Sequence, residues 1–221
     1  EAVILPVDTS IGSAGSTSAS RQTWMSGGAV LKACEAVIHS LILELRNESG
    51  VEYERVGLNL IPKDGSDSIE IAIALRGRNF DEHVTHRHMP TFPLDQNGQG
   101  NAHVSFAFAA HRAVVDVDEE LGLVRVVEIA TSQDVGRILN PVQARGQIEG
   151  GIAQGLGLAL LEELVLADGK IANANFTDYL LPTAMDTPSI EIAAFIEQPE
   201  PGAPFGAKGI GEPPVISSTP A

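Results

Sequence analysis

The chain has 221 residues, of which 43% are hydrophobic and 19% charged, and its net charge is −15 at pH 7. This composition is typical of a folded globular protein, and the length suffices for one large domain or two small lobes. An acidic surface repels phosphate backbones and anionic lipids, so we expect neither nucleic acid nor a membrane as a partner. No apolar run approaches the roughly 20 residues that span a bilayer.

The single cysteine and the two chain ends suggest where the protein works and how complete it is. Cys34 alone excludes an internal disulfide and is compatible with a reducing cytosol, so we expect a cytoplasmic location. The chain begins without Met, and its last residues, VISSTPA, have no tail-like composition. We therefore expect residues 1–221 to be one domain, of one or two lobes, that is a fragment of a longer protein or half of a split subunit.

The first 45 residues predict a strand, a loop and a helix. EAVILPVDTS is a short apolar run typical of a buried strand, and the small, hydroxyl-rich IGSAGSTSASRQT predicts a loop. Apolar residues recur at helical spacing from Val30 to Leu45, which predicts a first main helix over residues 27–45. Ser26 is its expected N-cap.

The middle of the chain predicts mostly strands. VEYERVGLNL and SIEIAIALRG alternate apolar and polar residues, as strands do, whereas residues 78–100 have no period and predict a long loop. Two β-rich runs flank a turn at residues 119–122, which predicts a hairpin from HVSFAFAAHRAVVDVD and LVRVVEIATSQD.

The last third predicts a long helix and two further strands. The helix is expected over residues 142–164, and the strands in KIANANFTDYLLP and SIEIAAFIE. Helix and strand signals are mixed rather than strictly alternating. The predicted fold class is therefore α+β, with mixed sheets and two main helices.

The second predicted helix contains an unusual number of glycines. Apolar residues recur every four positions from Ile148 to Leu160, yet each interior glycine costs about 1 kcal/mol relative to alanine. The five glycines are Gly146, Gly150, Gly151, Gly155 and Gly157. Either tight packing of another element or the close approach of a planar ligand would offset that cost. Gln143, Gln147 and Gln154 lie roughly on one side of the same helix.

A carboxylate stands between glycines and prolines in GAKGIGEPP, residues 206–214. The glycines permit close approach to the backbone, and we expect Pro213 to push Glu212 toward extended conformations. One interpretation is a solvated acid in a tight loop, and the other is a functional carboxylate held in place.

Two other stretches could bind ligands. STSASRQT could cradle an oxyanion through backbone N–H groups and hydroxyls, although it lacks the GK[ST] ending of a Walker loop and a plain surface loop is the alternative. His83, His86 and His88 form the one metal-like cluster, but no cysteine stands near them in the sequence. A solvated loop is the preferred interpretation, and we expect no metal held by protein side chains.

In this order, the motifs resemble the C-terminal part of the molybdopterin-binding subunit of the xanthine dehydrogenase and aldehyde oxidoreductase family. The resemblance is carried by VVDVDEELGLVRV, DVGRILNPVQARGQIEGGIAQGLGLALLEE, NFTDYLLPTAMDTPSIE and PFGAKGIGEPPVIS. STSASRQTWMSGGAVLKAC resembles the family's cofactor loop and the helix after it. Only residues 51–100 lack recognisable signature residues, so the resemblance covers most of the chain.

The resemblance implies a role for each signature residue. Glu212, in the family's GxKGxGE pattern, would be the catalytic base that takes a proton from a hydroxyl on molybdenum, after which the oxygen attacks an electron-poor carbon and a hydride moves to a sulfido ligand. Gln147, Lys208 and Gly209 would contact the cofactor. Its phosphate and metal end would be lined by Thr17, Ser18, Ala19, Ser20, Arg21 and Gln22, with Ala19 nearest the molybdenum, which the pterin itself holds.

The same resemblance implies cofactors and partners. The cofactor would be molybdopterin or its cytosine dinucleotide form, and electrons would pass to Fe–S clusters and FAD on partner domains or subunits. The remaining half of the molybdopterin subunit would complete the active site, so this chain alone is expected to be inactive. The expected reaction is oxidation of a purine such as xanthine or hypoxanthine, with water as the oxygen source. Aldehydes, other N-heterocycles, carbon monoxide and a non-catalytic scaffold are the alternatives.

Overall fold

The computed structural model describes residues 3–6, 8–11 and 15–221. Met25–His88 form one compact unit, and Met89–Ala221 form another together with the segment that ends at Trp24. Among the described residues, no helix is both long enough and apolar enough to cross a membrane.

The unit Met25–His88 packs a long helix against a small antiparallel sheet. Its elements are α1 (Gln22–Ser49), β1 (Tyr53–Val56), β2 (Asn59–Pro62), β3 (Ile69–Glu70) and α2 (Ile71–Ala74), and the strand order is β1-β2-β3. The core consists of Leu41 and Leu45 of α1, Leu60 of β2 and Ala74 of α2. Arg78 closes this unit at the surface through ion pairs with Glu44 and Glu48 of α1.

The other unit is built on a mixed sheet with the strand order β4-β5-β8. β4 (Ala109–Asp118) and β5 (Leu123–Asp134) form an antiparallel hairpin, and β8 (Ser189–Ile196) lies parallel to β5. Helix α3 (Pro141–Leu160) buries Ile148 and Ile152 against this sheet, where they contact Ile129, Ile190, Ile192 and Phe195.

Short elements complete the second unit. They are β6 (Leu166–Ala167), β7 (Lys170–Ile171), α4 (Pro213–Ser218) and two 3-10 turns at Thr9–Ile11 and Pro204–Gly206. The hairpin with its turn at residues 119–122, the loop over residues 78–100 and the mixture of helices and sheets agree with the prediction, although the first strand of the hairpin begins at Ala109 and not at His103. The α+β class is confirmed.

Several predicted boundaries are wrong. Residues 3–6 and 8 form no strand and are exposed, Ile4 by 96%, because no described strand pairs with them; the rest of that run lies outside the described residues, as do residues 12–14 of the loop after it. Helix α1 begins at Gln22, immediately after a turn in which Arg21 N–H bonds Ser18 O, so Ser26 lies inside the helix and is not its N-cap.

Three further elements are shorter than predicted. Only Ile69–Glu70 of SIEIAIALRG forms a strand, since the chain then coils into α2, and only Lys170–Ile171 does so in KIANANFTDYLLP. Helix α3 ends at Leu160 rather than at residue 164, because Leu161 and Glu162 both direct their N–H groups to Gly157 O and close the last turn.

Candidate functional site

Two loops that are almost 200 residues apart in the chain are joined by a reciprocal pair of hydrogen bonds. Ala19 N–H donates to Glu212 Oε1 at 2.7 Å, and Glu212 N–H donates to Ser20 Oγ at 2.8 Å. Glu212 Oε2 makes no hydrogen bond within the described part of the chain, and Glu212 is exposed. One carboxylate oxygen is therefore fixed and the other can accept a proton.

Glycines allow the two loops to approach so closely. A Cβ at Gly209 would lie 2.7 Å from Ser20 Cβ, and one at Gly211 would lie 3.2 Å from Ser20 Oγ. On the other loop, Ala19 and Ser20 both adopt φ of +53°, a left-handed conformation that costs a non-glycine residue about 1 kcal/mol or more. The hydrogen bonds to Glu212 help to hold this strained turn.

Glu212 does not adopt the extended conformation predicted from the proline that follows it. Its φ of −94° and ψ of −34° are helical, and Pro213 and Pro214 occupy the first two positions of α4. Proline is well tolerated there, because the first N–H groups of a helix have no intrahelical acceptor. Glu212 is the N-cap residue of α4, so the placement of this helix sets the backbone of Glu212.

The glycines of α3 accommodate α4. A Cβ at Gly151 would lie 2.8 Å from Pro214 Cβ, and one at Gly155 would lie 2.9 Å from Val215 O and still closer to Ser218 Oγ. Gly157 is similarly crowded by Pro182, whereas a Cβ at Gly146 or Gly150 would meet nothing within 4 Å. Of the two interpretations of this glycine-rich helix, tight packing of another element applies at Gly151 and Gly155.

A buried ion pair anchors the loop that carries Glu212. Lys208 Nζ donates to Asp134 Oδ2 at 2.6 Å, and the two side chains are only 8% and 7% exposed. Asp134 Oδ1 also accepts the N–H of Gly136, and Gly136 forms a β-bridge with Ala207. The Lys208 ammonium is thus paired with Asp134, and this pair holds the loop that carries Glu212.

A cavity of about 390 Å³ lies beside the two loops. Six of the residues singled out in the sequence line it, namely Thr17, Ser20, Gln22, Gln147, Lys208 and Gly209. The remaining four lie outside that lining: Ser18, Ala19, Arg21 and Glu212. Ala19 and Glu212 are each next in the chain to a residue that does line the cavity, Ser20 and Gly211 respectively.

The hydroxyl-rich loop also has bonds within itself. Gln22 Nε2 donates to Thr17 Oγ1 at 2.6 Å, and the hydroxyls of Ser16 and Ser18 lie 3.1 Å apart. The Arg21 guanidinium lies against Gly15, where it would be 3.4 Å from an added Cβ. These contacts keep the loop folded next to the cavity.

Sequence reasoning missed two polar residues on the cavity wall and assigned no specific role to a third. Arg137 and Asn140 had no assigned role, and Gln143 was noted only as part of a polar stripe. Asn140 is the N-cap of α3, since its Oδ1 accepts the N–H of Gln143 at 3.1 Å ahead of Pro141. The Asn-Pro signature of a helix start could have located this cap, and with it the positive end of the helix dipole.

The histidine cluster is placed elsewhere, in the unit Met25–His88. The His86 ring packs on the backbone of Gly28, and neither ring nitrogen has a hydrogen-bond partner among the residues described. Burial lowers the pKa of His86, as do the nearby Lys32 and His88. Within the described residues, no group of three or more His, Cys, Asp or Glu side chains is placed to hold a metal ion.

Comparisons with known proteins agree with this architecture. Residues 3–188 match the molybdopterin cofactor-binding domain. The chain is 30% identical over 203 residues to the gamma subunit of the 6-hydroxypseudooxynicotine dehydrogenase complex of Paenarthrobacter nicotinovorans, covering 90% of this chain and 25% of that protein. It is 41% identical over 112 residues to the putative xanthine dehydrogenase molybdenum-binding subunit of Escherichia coli (strain K12), covering 50% of this chain and 15% of that protein.

A solved structure shares the fold as well. The aldehyde oxidoreductase from Desulfovibrio desulfuricans matches with a TM-score of 0.68 and 27% identity, over 94% of this chain and 20% of that one. The chain thus spans a quarter or less of the length of these relatives. The resemblance seen in the sequence motifs is confirmed, and the chain belongs to the molybdopterin cofactor-binding domain family.

Proposed function

We propose that this chain supplies the catalytic base and part of the cofactor cradle of a molybdenum hydroxylase, with Glu212 as the base. The observation that carries this proposal is the reciprocal pair of hydrogen bonds between Glu212 and the loop at Ala19 and Ser20. A solvated surface carboxylate would gain nothing from a strained loop beside it, or from two glycines that let that loop approach closely. That cost disfavours the non-catalytic scaffold.

The cavity residues suit molybdopterin. The lining offers hydroxyls, amides and one guanidinium, and it lies along the first turns of α3, where the helix dipole favours anionic groups such as a phosphate. Its volume of about 390 Å³ falls within the range of small-molecule sites. Gln147, Arg137 and the hydroxyls of Thr17 and Ser20 are the side chains that would hold the cofactor, with Gly209 allowing close backbone contact.

Proton transfer is the part of the reaction that we assign to this chain. The Ala19 N–H orients the carboxylate through Oε1, which leaves Oε2 to accept a proton from a group within hydrogen-bond reach. Molybdopterin, when bound, would supply the redox centre that takes up the two electrons of the oxidation, with water as the oxygen source. Fe–S and FAD domains or subunits, and the rest of the molybdopterin subunit, are the proposed partners in the cytoplasm.

We propose a purine as the first substrate to test. The support is the 41% identity to a putative xanthine dehydrogenase subunit over 112 residues. Other relatives have names that refer to nicotine and to carbon monoxide, and the matched structure is an aldehyde oxidoreductase. N-heterocycles, aldehydes and carbon monoxide are therefore the alternative substrates of the same site.

The test is metal and pterin analysis of the assembled complex, obtained by co-expressing the chain with its genomic neighbours. We expect close to one molybdenum per chain by mass spectrometry, pterin fluorescence after acid release, and oxidation of xanthine or hypoxanthine. Release of cytidine monophosphate would identify the dinucleotide form of the cofactor. A fully assembled complex without molybdenum or pterin would overturn the proposal, and turnover of aldehydes alone would overturn only the purine assignment.

A further inference from the structure

A second polar contact holds α4 from the side of the sheet. His111, on β4, places Nε2 2.7 Å from Ser217 Oγ in α4. Ser217 Oγ in turn donates to Pro213 O, the carbonyl of the residue directly after Glu212, at 2.5 Å. A short chain of hydrogen bonds therefore runs from the sheet to the carbonyl of Pro213, the residue after Glu212.

The proton positions in this cluster follow from counting donors. Ser217 has one hydroxyl proton and gives it to Pro213 O, so His111 Nε2 must carry the proton that is shared with Ser217 Oγ. The amide of Gln133 is also a donor, which makes its 3.4 Å contact with His111 Nε2 a neighbouring position and not a hydrogen bond. That amide donates instead to Thr131 Oγ1 at 2.7 Å.

The cluster lies at the edge of the core, with His111 and Ser217 half-buried, and leaves one buried atom unsatisfied. Thr131 and Gln133 are each 2% exposed, and His111 Nδ1 is buried without a partner among the described residues. Burial lowers the pKa of His111, which favours the neutral imidazole. An apolar side chain would cost less free energy to bury at this position. The presence of a histidine that contacts Ser217 therefore needs an explanation other than packing.

We propose that His111 is a positioning residue: its hydrogen bond to Ser217 fixes α4 and thereby aligns the Glu212 backbone with Ser20. Gly151 and Gly155 of α3 set how closely α4 approaches, but van der Waals packing permits small rotations of a six-residue helix about its axis. The directional bond from His111 removes that freedom. The catalytic consequence rests on the proposed function, whereas the structural consequence for the two loops does not.

The test uses the assembled complex and compares two substitutions of His111, with one substitution of Ser217 and one control beside them. His111→Leu removes the Nε2 donor, whereas His111→Gln supplies an amide N–H at a similar reach. Ser217→Ala removes the acceptor, and His39→Leu, on an exposed position of α1, is the control. The readouts are backbone amide exchange in peptides covering residues 15–22 and 208–218, and kcat and KM on the substrate identified for the complex.

We expect His111→Leu and Ser217→Ala to speed exchange in both peptides and to lower kcat about tenfold, with KM and molybdenum content unchanged. His111→Gln should show wild-type exchange and kcat. A variant that combines His111→Leu with Ser217→Ala should be no more impaired than either single variant. Unchanged exchange in both single variants would overturn the proposal, and so would a normal kcat with accelerated exchange in a complex where Glu212→Gln abolishes turnover. So would a His111→Gln variant as impaired as His111→Leu, because that result would assign the effect to packing.

Failure of the proposed function gives a different pattern. If Glu212→Gln kept normal turnover, Glu212 would not be the base, and the exchange of the two peptides would still decide whether His111 positions α4. If His111→Leu did not assemble, Ser217→Ala would carry the same comparison, since it removes a single oxygen from a half-buried surface.

Discussion

Glu212 is held in place by one hydrogen bond to its side chain and one from its backbone. Its side chain accepts from Ala19, and its own N–H donates to Ser20, whose backbone is left-handed. Each of these bonds contributes roughly 0.5–1.5 kcal/mol, which is comparable to the conformational cost of the strained turn. The two loops therefore stabilise one another, and loss of one bond weakens the placement of the other residue.

The Ser20 hydroxyl offers a direct probe of this coupling. Ser20→Ala removes the acceptor of the Glu212 N–H, so we expect kcat in the assembled complex to fall about threefold to tenfold, the equivalent of one hydrogen bond. Ser68→Ala is the matched control, because Ser68 is exposed and lies in the unit Met25–His88, outside both loops. Equal kcat values for both variants would show that Ser20 does not place Glu212.

The sequence singled out these residues but did not predict the contacts between them. Glu212 stood out as an acid between glycines and prolines, and the loop around Ser20 stood out for its hydroxyls. Local pattern carries no information on a hydrogen bond between positions 193 residues apart. For the same reason the commitment of Lys208 to Asp134 could not be predicted, since either charge could equally have been solvated.

Among the elements, α4 and the glycines of α3 matter most for the site. α4 is too short to be stable alone, and its position comes from packing against Gly151 and Gly155. Alanine is the better helix former at each of these positions, so the glycines are explained by what they contact.

Two glycines of α3 make a matched pair of tests. Gly155→Ala would drive a methyl group into Val215 O and Ser218, and we expect it to lower the free energy of unfolding by about 1–3 kcal/mol. Gly150→Ala faces open space and should raise that free energy by about 0.5–1 kcal/mol through helix propensity. Urea unfolding of both variants at one pH measures the difference. Stabilisation by both substitutions would contradict the packing described for α4.

Periodicity predicted the long elements well and the short ones poorly. Helices α1 and α3, the β4–β5 hairpin and β8 all carry a sustained pattern over at least eight residues. α4 was missed because a proline pair is compatible with either a helix start or an extended exit. The apolar run at residues 3–6 was wrongly predicted as a strand, because its pattern says nothing about whether a pairing strand exists.

For the whole molecule, the arrangement of strands was beyond local sequence information. The parallel pairing of β5 with β8 joins segments that are separated by α3 and the β6–β7 hairpin, and only the tertiary structure selects it. The class itself could be predicted, because the mixture of helical and strand periodicities indicates α+β. Because the chain spans a quarter or less of its relatives, activity is a property to be measured on the assembled complex.

The most direct test of the account is the turnover of a Glu212→Gln variant in that complex. The amide keeps the size of the side chain and can still accept the Ala19 N–H, but it cannot serve as a base. We predict that turnover falls at least about a hundredfold while molybdenum and pterin content stay at the wild-type level. Glu119→Gln, in the exposed β4–β5 turn, should match the wild type. Normal turnover in Glu212→Gln, with cofactor bound, would contradict the assignment of Glu212 as the catalytic base.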